Sequence, residues 1–396
     1  MTSPGRPLTL LATAQALLLT NGVTLVAINA LAGYALAPDK RLATLPVVGY
    51  VLGSAASTLP ASFFMRRHGR RAGFMLGACC GMLGGAVGAL AIFLQSFWLL
   101  CCATFCSGIY HAFGQYFRFA AAELVPPESK SRAISLTLAG GIVGGFIGPA
   151  VGQLTRDLLA PQYLASYASL IGFALASLAI AASLRFPPPG ESEQHGVSRP
   201  LAEIARQPVF IVAVLAAAIG YGVMNLLMNA TPLAMDFCGL GFGDTALVLQ
   251  WHVIGMFAPS FLTGHLIARF GVANILLTGA ALMAGCILIA LAGVTLLHFW
   301  WALLLLGVGW NFLFVGGTTL LTEAYTPAEK ARTQGLNDFL MFFVMGVSSF
   351  GSGLLVTSAG WSVLNQVALP FVAITALAGA TLWLRQRPSR QTGARD

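Results

Sequence analysis

The chain reads as an all-α membrane protein with twelve transmembrane helices in two six-helix pseudo-repeats. Three observations predict this. First, 57% of its 396 residues are hydrophobic and 9% are charged, whereas a soluble domain carries about 25% charged residues. Second, the apolar residues fall into long runs, each near the ~20 residues that a helix needs to cross a bilayer. Third, Glu123-Leu-Val-Pro-Pro-Glu-Ser-Lys-Ser-Arg132 returns in the second half as Glu323-Ala-Tyr-Thr-Pro-Ala-Glu-Lys-Ala-Arg332.

Taken in order, the runs place spans near 10–36, 43–65, 73–95, 97–120, 133–156 and 163–185. Six more follow near 208–235, 244–268, 272–294, 299–322, 332–357 and 363–384. The first run superficially resembles a signal peptide, but it continues to Ala37, too far for an h-region, and is read as span 1. Residues 186–207 carry Pro187-Pro188-Pro189, Gly190 and mixed charges, and read as a linker between bundles 1–185 and 208–396. Seven cysteines, mostly inside spans, argue against a secreted disulfide framework.

Charge supplies the orientation. Of 21 Lys and Arg residues, all but Lys40, Arg41 and Arg156 fall on one side of this topology, Arg118 among them. The positive-inside rule places both termini and the linker in the cytoplasm. The net charge of +8 is therefore read as topology, with the bilayer as partner and no nucleic acid. No phosphate loop, dinucleotide loop or nucleophile with a supporting base is present, so the chain is not expected to be an enzyme or to hold a permanent cofactor.

Soft ligands stand out in spans 7 and 8. Met224 and Met228 lie four apart, as do His252 and Met256, and residues four apart share a helix face. Helical rise puts the first pair roughly 20–30 Å above the cytoplasmic end and the second roughly 10–17 Å below the outer end, so their depths overlap. Thioethers select Cu(I), and imidazole also suits copper. Chance gives about 0.3 Met pairs and about 0.2 His-x-x-x-Met at this spacing, so both on consecutive spans is specific. The competing reading is Met as core filler beside a hydrogen-bonded His. A path to such a site would use Met235 and Cys238 at the outer mouth, and Met341 with Met345 in span 11.

Polar residues inside spans mark a cavity or a proton-coupling group: His111, Gln115, Asn225, Asn311 and Asp338. Span 5 carries Gly144-Gly-Phe-Ile-Gly148-Pro149-Ala-Val-Gly152, followed by Gln153. Small residues there allow close helix approach and Pro permits a bend.

These residues resemble the major facilitator superfamily, whose twelve-span fold binds substrate between its halves. Its signature loop, Gly-x-x-x-Asp-Arg-x-Gly-Arg-Arg, is matched by Arg67, Gly69, Arg70 and Arg71, with Ser62 at the Gly and Arg66 at the Asp position. In the family the loop Asp helps latch span 2 to span 11. Here Asp338 in span 11 is expected to pair with Arg66 or Arg67 in reversed polarity. The span 5 stretch resembles a motif of proton-driven drug antiporters. Met224, Met228, His252 and Met256 resemble the set in CcoA-type copper importers of the CalT branch, which also contains riboflavin transporters lacking that set.

The resemblance implies a monomeric bacterial inner-membrane importer of copper, as Cu(I), working by alternating access and supplying cbb3-type cytochrome c oxidase. Two other readings stand beside it: a carrier of an organic solute, either a riboflavin-like nutrient or a drug exchanged for protons, and a membrane sensor or assembly factor that holds copper for a partner.

Overall fold

Eleven helices long and apolar enough to cross a membrane occur among the described residues of the computed structural model, which are 5–38, 42, 45–186 and 198–386. Span 1 is Gly5–Leu36. Spans 2 and 3 form one helix, Leu45–Phe93, of 49 residues, about 74 Å at 1.5 Å per residue and so two crossings. It bends at Gly69, whose φ of 85° and ψ of 162° are non-helical, a conformation that Gly adopts without the Cβ clash other residues meet. The ten other helices and this double one give twelve spans.

Span 4 runs through Phe97–Gly114 and, after a break at Gln115 and Tyr116, Phe117–Glu123. Span 5 is Lys130–Ala139 continued by Gly141–Thr155, and span 6 is Leu164–Ser183. Span 7 starts at Pro208, widens to a π-helical turn over Leu215–Ile219, and continues as Gly220–Phe237. Span 8 is Phe242–Phe257 followed by Ser260–Phe270. Val272–Ala292, Leu296–Leu321, Lys330–Ser358 and Gly360–Gln386 complete the set. Pro187–Pro189 of the linker, Lys40, Arg41 and the C-terminal arginines beyond 386 lie outside the described residues.

The burial pattern is that of a protein in lipid. Large apolar side chains such as Leu83, Leu154, Phe350 and Leu377 point outward, while Asn21, Asn29, Asn311 and Asn365 are buried. Where no water can pair a polar group, an interior partner has to. Asn21 Nδ2 accordingly donates to Leu170 O at 2.9 Å, and Tyr167 Oη donates to Asn29 Oδ1 at 3.0 Å.

The contacts divide the chain into two compact units. The first holds Met1–Val125, Leu136–Ser198 and Pro327–Phe342; the second holds Pro126–Ser135, Arg199–Thr326 and Phe343–Asp396. Within the first, a core of Leu25, Ile28, Leu100, Tyr167 and Leu170 joins spans 1, 4 and 6. Span 5 lies on span 1 through its glycines: a Cβ on Gly144 would sit 2.6 Å from Thr20 N and 2.7 Å from Leu19 Cβ. The span 5 motif is thus a close helix contact here, reinforced by Thr24 Oγ1 donating to Gly148 O at 3.0 Å. Within the second unit, span 10 packs on spans 8 and 9, and span 9 on span 12.

Candidate functional site

Each unit contains a buried polar cluster. In the first, the turn at Gln115 and Tyr116 lets span 4 restart with Arg118 buried. Arg118 is 1% exposed, and its Nη2 donates to Asp338 Oδ1 at 2.5 Å. The carboxylate also accepts from Asn337 Nδ2 at 2.8 Å, while Asp338 Oδ2 is buried without a partner. This replaces one sequence expectation: Asp338 pairs with Arg118 rather than with Arg66 or Arg67, and Arg118 is a buried cation within span 4. The intramembrane guanidinium is stable there because a carboxylate meets it; a lone buried charge costs far more.

The same guanidinium reads back into span 4. Arg118 Nη1 donates to Gln115 Oε1 at 2.5 Å, and Gln115 Nε2 lies 2.8 Å from His111 Nε2. His111 Nδ1 then lies 2.7 Å from Tyr50 Oη. Arg has only donors, so the Gln115 oxygen must face it and the Gln115 amide nitrogen must donate to His111 Nε2. That nitrogen therefore carries a lone pair, and the proton sits on Nδ1. His111, Gln115 and Asp338, read separately from the sequence, are thus one wire from Tyr50 to Asp338.

The signature loop forms a second polar cluster in this unit. Arg70 is buried, and it donates through Nη2 to Glu123 Oε1 at 2.6 Å and to Gln334 Oε1 at 2.9 Å. Lys330 Nζ adds a contact to Glu123 Oε1 at 3.3 Å, and Ser62 Oγ donates to Ala331 O at 2.5 Å. Arg67 and Arg71 are exposed and Arg66 is half-buried. The missing acidic residue of the loop is thus supplied by Glu123. In the second unit the matching contacts are neutral: Ser131 Oγ donates to Gly264 O at 3.0 Å, and Ser135 Oγ to Ser260 O. The repeat of Glu123 and Lys130 as Glu323 and Lys330 shows here. Lys330 reaches Glu123, and Lys130 acts on Glu323, whose carboxyl burial raises above the usual carboxylate range while the lysine partly opposes the rise.

The second unit places the four soft ligands as follows. Met224 is 2% exposed and Met228 half-buried; His252 is fully buried and Met256 is 7% exposed. His252 leans on span 10: its Nδ1 lies 2.8 Å from Leu303 O. A carbonyl only accepts, so Nδ1 carries the proton and Nε2 the lone pair. That buried Nε2 has no partner among the described residues. Met235 is buried and Cys238 exposed; Met341 is buried and Met345 half-buried. Among the described residues no three His, Cys, Asp or Glu side chains converge on a metal position.

Asn225 ties span 7 to span 11, donating to Ser349 Oγ at 2.6 Å and Ser348 Oγ at 3.1 Å. Asn311 is fully engaged between spans 10 and 8. Its Nδ2 donates to Met256 O at 2.7 Å and Ser260 Oγ at 2.6 Å, and its Oδ1 accepts from Thr263 Oγ1 at 2.7 Å. Beside it lies an aromatic group. Trp310 stacks on Phe314 with centroids 4.9 Å apart and meets Tyr221 and Phe257 edge-on at 5.3 and 5.8 Å. Trp310 Nε1 is buried without a partner among the described residues.

Sequence reasoning gives Arg118 and Ser62 no site role, and it reads Trp310 as a cavity residue without its aromatic neighbours Tyr221, Phe257 and Phe314. The available signal for Arg118 was its position inside an apolar run, three residues after Gln115. Serines that cap a neighbouring helix's carbonyl leave no such signal.

Two units of apolar, outward-facing spans around buried polar groups are the architecture of a multi-pass membrane protein. The Major Facilitator Superfamily model matches residues 10–349 and, a second time, 239–396, and the chain belongs to that superfamily. It is 41% identical to the riboflavin transporter RfnT of Brucella anthropi, over 98% of this chain and 97% of the relative. It is 27% identical to an uncharacterised MFS-type transporter, YddS, of Bacillus subtilis, over 86% of this chain and 82% of that one. Similar solved structures include the E. coli fucose:proton symporter FucP, 18% identical with a TM-score of 0.73, covering 96% of this chain and 99% of that one. The proton:xylose symporter XylE is 16% identical with a TM-score of 0.77, covering 95% and 94%. The superfamily and its fold are those of transporters, which are not enzymes.

Proposed function

We propose that this carrier imports a flavin-like organic solute, with riboflavin the first compound to test, across a bacterial inner membrane with both termini cytoplasmic. The observation that carries the reading is the 41% identity to a riboflavin transporter along nearly the whole of both chains. The chemistry of the second unit supports it. A flavin ring is planar, aromatic and edged with amide donors and acceptors. The Trp310, Phe314 and Tyr221 group offers aromatic faces, and the free indole N–H of Trp310 offers a donor. Leaving that donor buried costs about 1–3 kcal/mol, which an acceptor on the solute would recover. Asp338 and Arg118 are the groups proposed to couple a proton to the cycle.

Copper import is the second reading, favoured by one observation. His252 presents an unprotonated, unpartnered Nε2 in a fully buried position, oriented by its Nδ1 proton on Leu303 O. A ring nitrogen held in this way is the form that a metal ion uses. Copper would then be the cargo, taken from thioethers of Met224, Met228 and Met256.

Uptake into cells at matched membrane expression separates the two. On the flavin reading, labelled riboflavin enters with saturable kinetics, Trp310→Ala lowers uptake at least tenfold, and Met224→Ala and His252→Ala accumulate no less copper than wild type. Copper accumulation lost in both of the latter variants, with no riboflavin flux, would overturn the flavin reading in favour of the metal.

A further inference from the structure

A cleft of about 440 Å³ opens where span 1 begins, span 3 begins and span 6 ends. Arg6, Arg71 and Arg185 line it, together with Leu10, Ser183 and Leu184, and no acidic residue is in the lining among the described residues. All three arginines are exposed, and none forms an ion pair among the described residues. The contrast with the rest of the unit is sharp. Arg70 and Arg118 are each matched by a carboxylate, whereas this cleft gathers three cations from three helices and matches none of them among the described residues.

Three guanidiniums in one cleft repel one another, and an anion relieves that repulsion. Each presents a planar fork of donors whose spacing fits two oxygens of a phosphate group. The wall beside them is apolar: Leu184 is 1% exposed and Leu10 half-buried. A cationic rim with an apolar wall at the end of membrane helices fits a molecule with a phosphate head and hydrocarbon tails. The cleft volume also falls within the roughly 300–1,000 Å³ range of small-ligand sites.

The loop geometry explains how adjacent residues serve two sites. The positive φ of Gly69 turns the chain sharply before span 3. Arg70 then enters the buried cluster with Glu123, and Arg71, the next residue, lines the cleft. Three of the four residues that match the superfamily's signature loop are thereby accounted for by the turn, the ion cluster and the cleft.

We propose that this cleft binds the headgroup of an anionic phospholipid from the leaflet at the Arg-rich end, which the topology assigns to the cytoplasm. Anionic lipids enrich that leaflet, and basic pockets between spans there bind phosphate headgroups. The lining includes none of Trp310, His252 and Asp338, so the inference stands whichever solute is carried.

The test uses the full-length purified protein. Native mass spectrometry counts retained lipid after exchange into equal mixtures of phosphatidylethanolamine and phosphatidylglycerol. The expected result is a strong preference for phosphatidylglycerol in wild type, weakened about fivefold for each arginine removed, as the membrane affinity of single basic residues implies. Arg6→Ala, Arg71→Ala and Arg185→Ala are read singly as well as together, so a poorly folded triple variant does not remove the test. Arg185→Lys should keep most of the preference. Inorganic phosphate at constant ionic strength should not raise the thermal midpoint of wild type. Equal retention of the two lipids by wild type, or a preference unchanged in all three single variants, would overturn the proposal. A full thermal shift from inorganic phosphate alone would replace the lipid with a free soluble anion.

Discussion

Single residues decide the chemistry of this bundle through what they lack as much as through what they hold. Arg118 and Asp338 neutralise each other inside the bilayer at 1% and 0% exposure. Removing one partner of such a pair leaves a buried charge and costs about 3–5 kcal/mol, whereas replacing both with apolar residues is often neutral. Arg118→Met and Asp338→Leu are therefore each expected to lower thermal stability strongly in detergent, and the double variant to regain most of it. Transport should fail in all three if the pair couples a proton. Full transport in the folded double variant would show that the pair only packs. Gln115 reports on the same wire: its oxygen faces Arg118 and its nitrogen His111, so it fixes the tautomer of a ring that touches neither charge.

Helices set the distances at which these residues act. Span 5 approaches span 1 closely because Gly144 carries no side chain where Thr20 N and Leu19 Cβ lie. A branched side chain there must push the helices apart, at about 1–3 kcal/mol or more for overpacking. Gly144→Val is expected to lower the folded yield and the thermal midpoint, whereas Gly172→Val, at a position with nothing within 4 Å, should not. Comparable melting curves for the two variants would contradict the close packing of spans 1 and 5. The π-helical turn at Leu215–Ile219 and Pro232 make span 7 the most irregular of the spans that carry candidate ligands. Irregular backbone of this kind within lipid is tolerated where protein surrounds it, and the three alanines of that turn are buried.

At the scale of the whole chain, a carrier must bind its solute in one conformational ensemble and release it in another, so ligand affinity should be modest and measurable as stabilisation. A ligand that binds only the folded protein adds about 2.7 kcal/mol at one hundred times its Kd. Riboflavin is therefore expected to raise the thermal midpoint of the purified protein in a saturable way, and Trp310→Ala to abolish the shift. A shift caused by Cu(I) and abolished by His252→Ala, with none caused by riboflavin, would instead support the metal reading.

The sequence alone determined the twelve spans, the two-fold repetition and the four-residue spacing within the pairs Met224 and Met228, and His252 and Met256. In a bilayer each helix satisfies its own backbone hydrogen bonds and buries its own apolar length, so local composition is enough to find it. The structure shows the repeat in Glu123 and Glu323 and in their lysines. Hydropathy alone reads Arg118, near the end of an apolar run, as a charge without a role, because the pattern registers the charge and not its partner 220 residues away. Only the tertiary structure decided that Asp338 meets Arg118 and not Arg66, that Glu123 replaces the acid missing from the signature loop, and that Arg6, Arg71 and Arg185 share one cleft. Those pairings depend on which faces of distant helices pack together, and in lipid that is settled by close packing and hydrogen bonds between helices, neither of which is written within any one span.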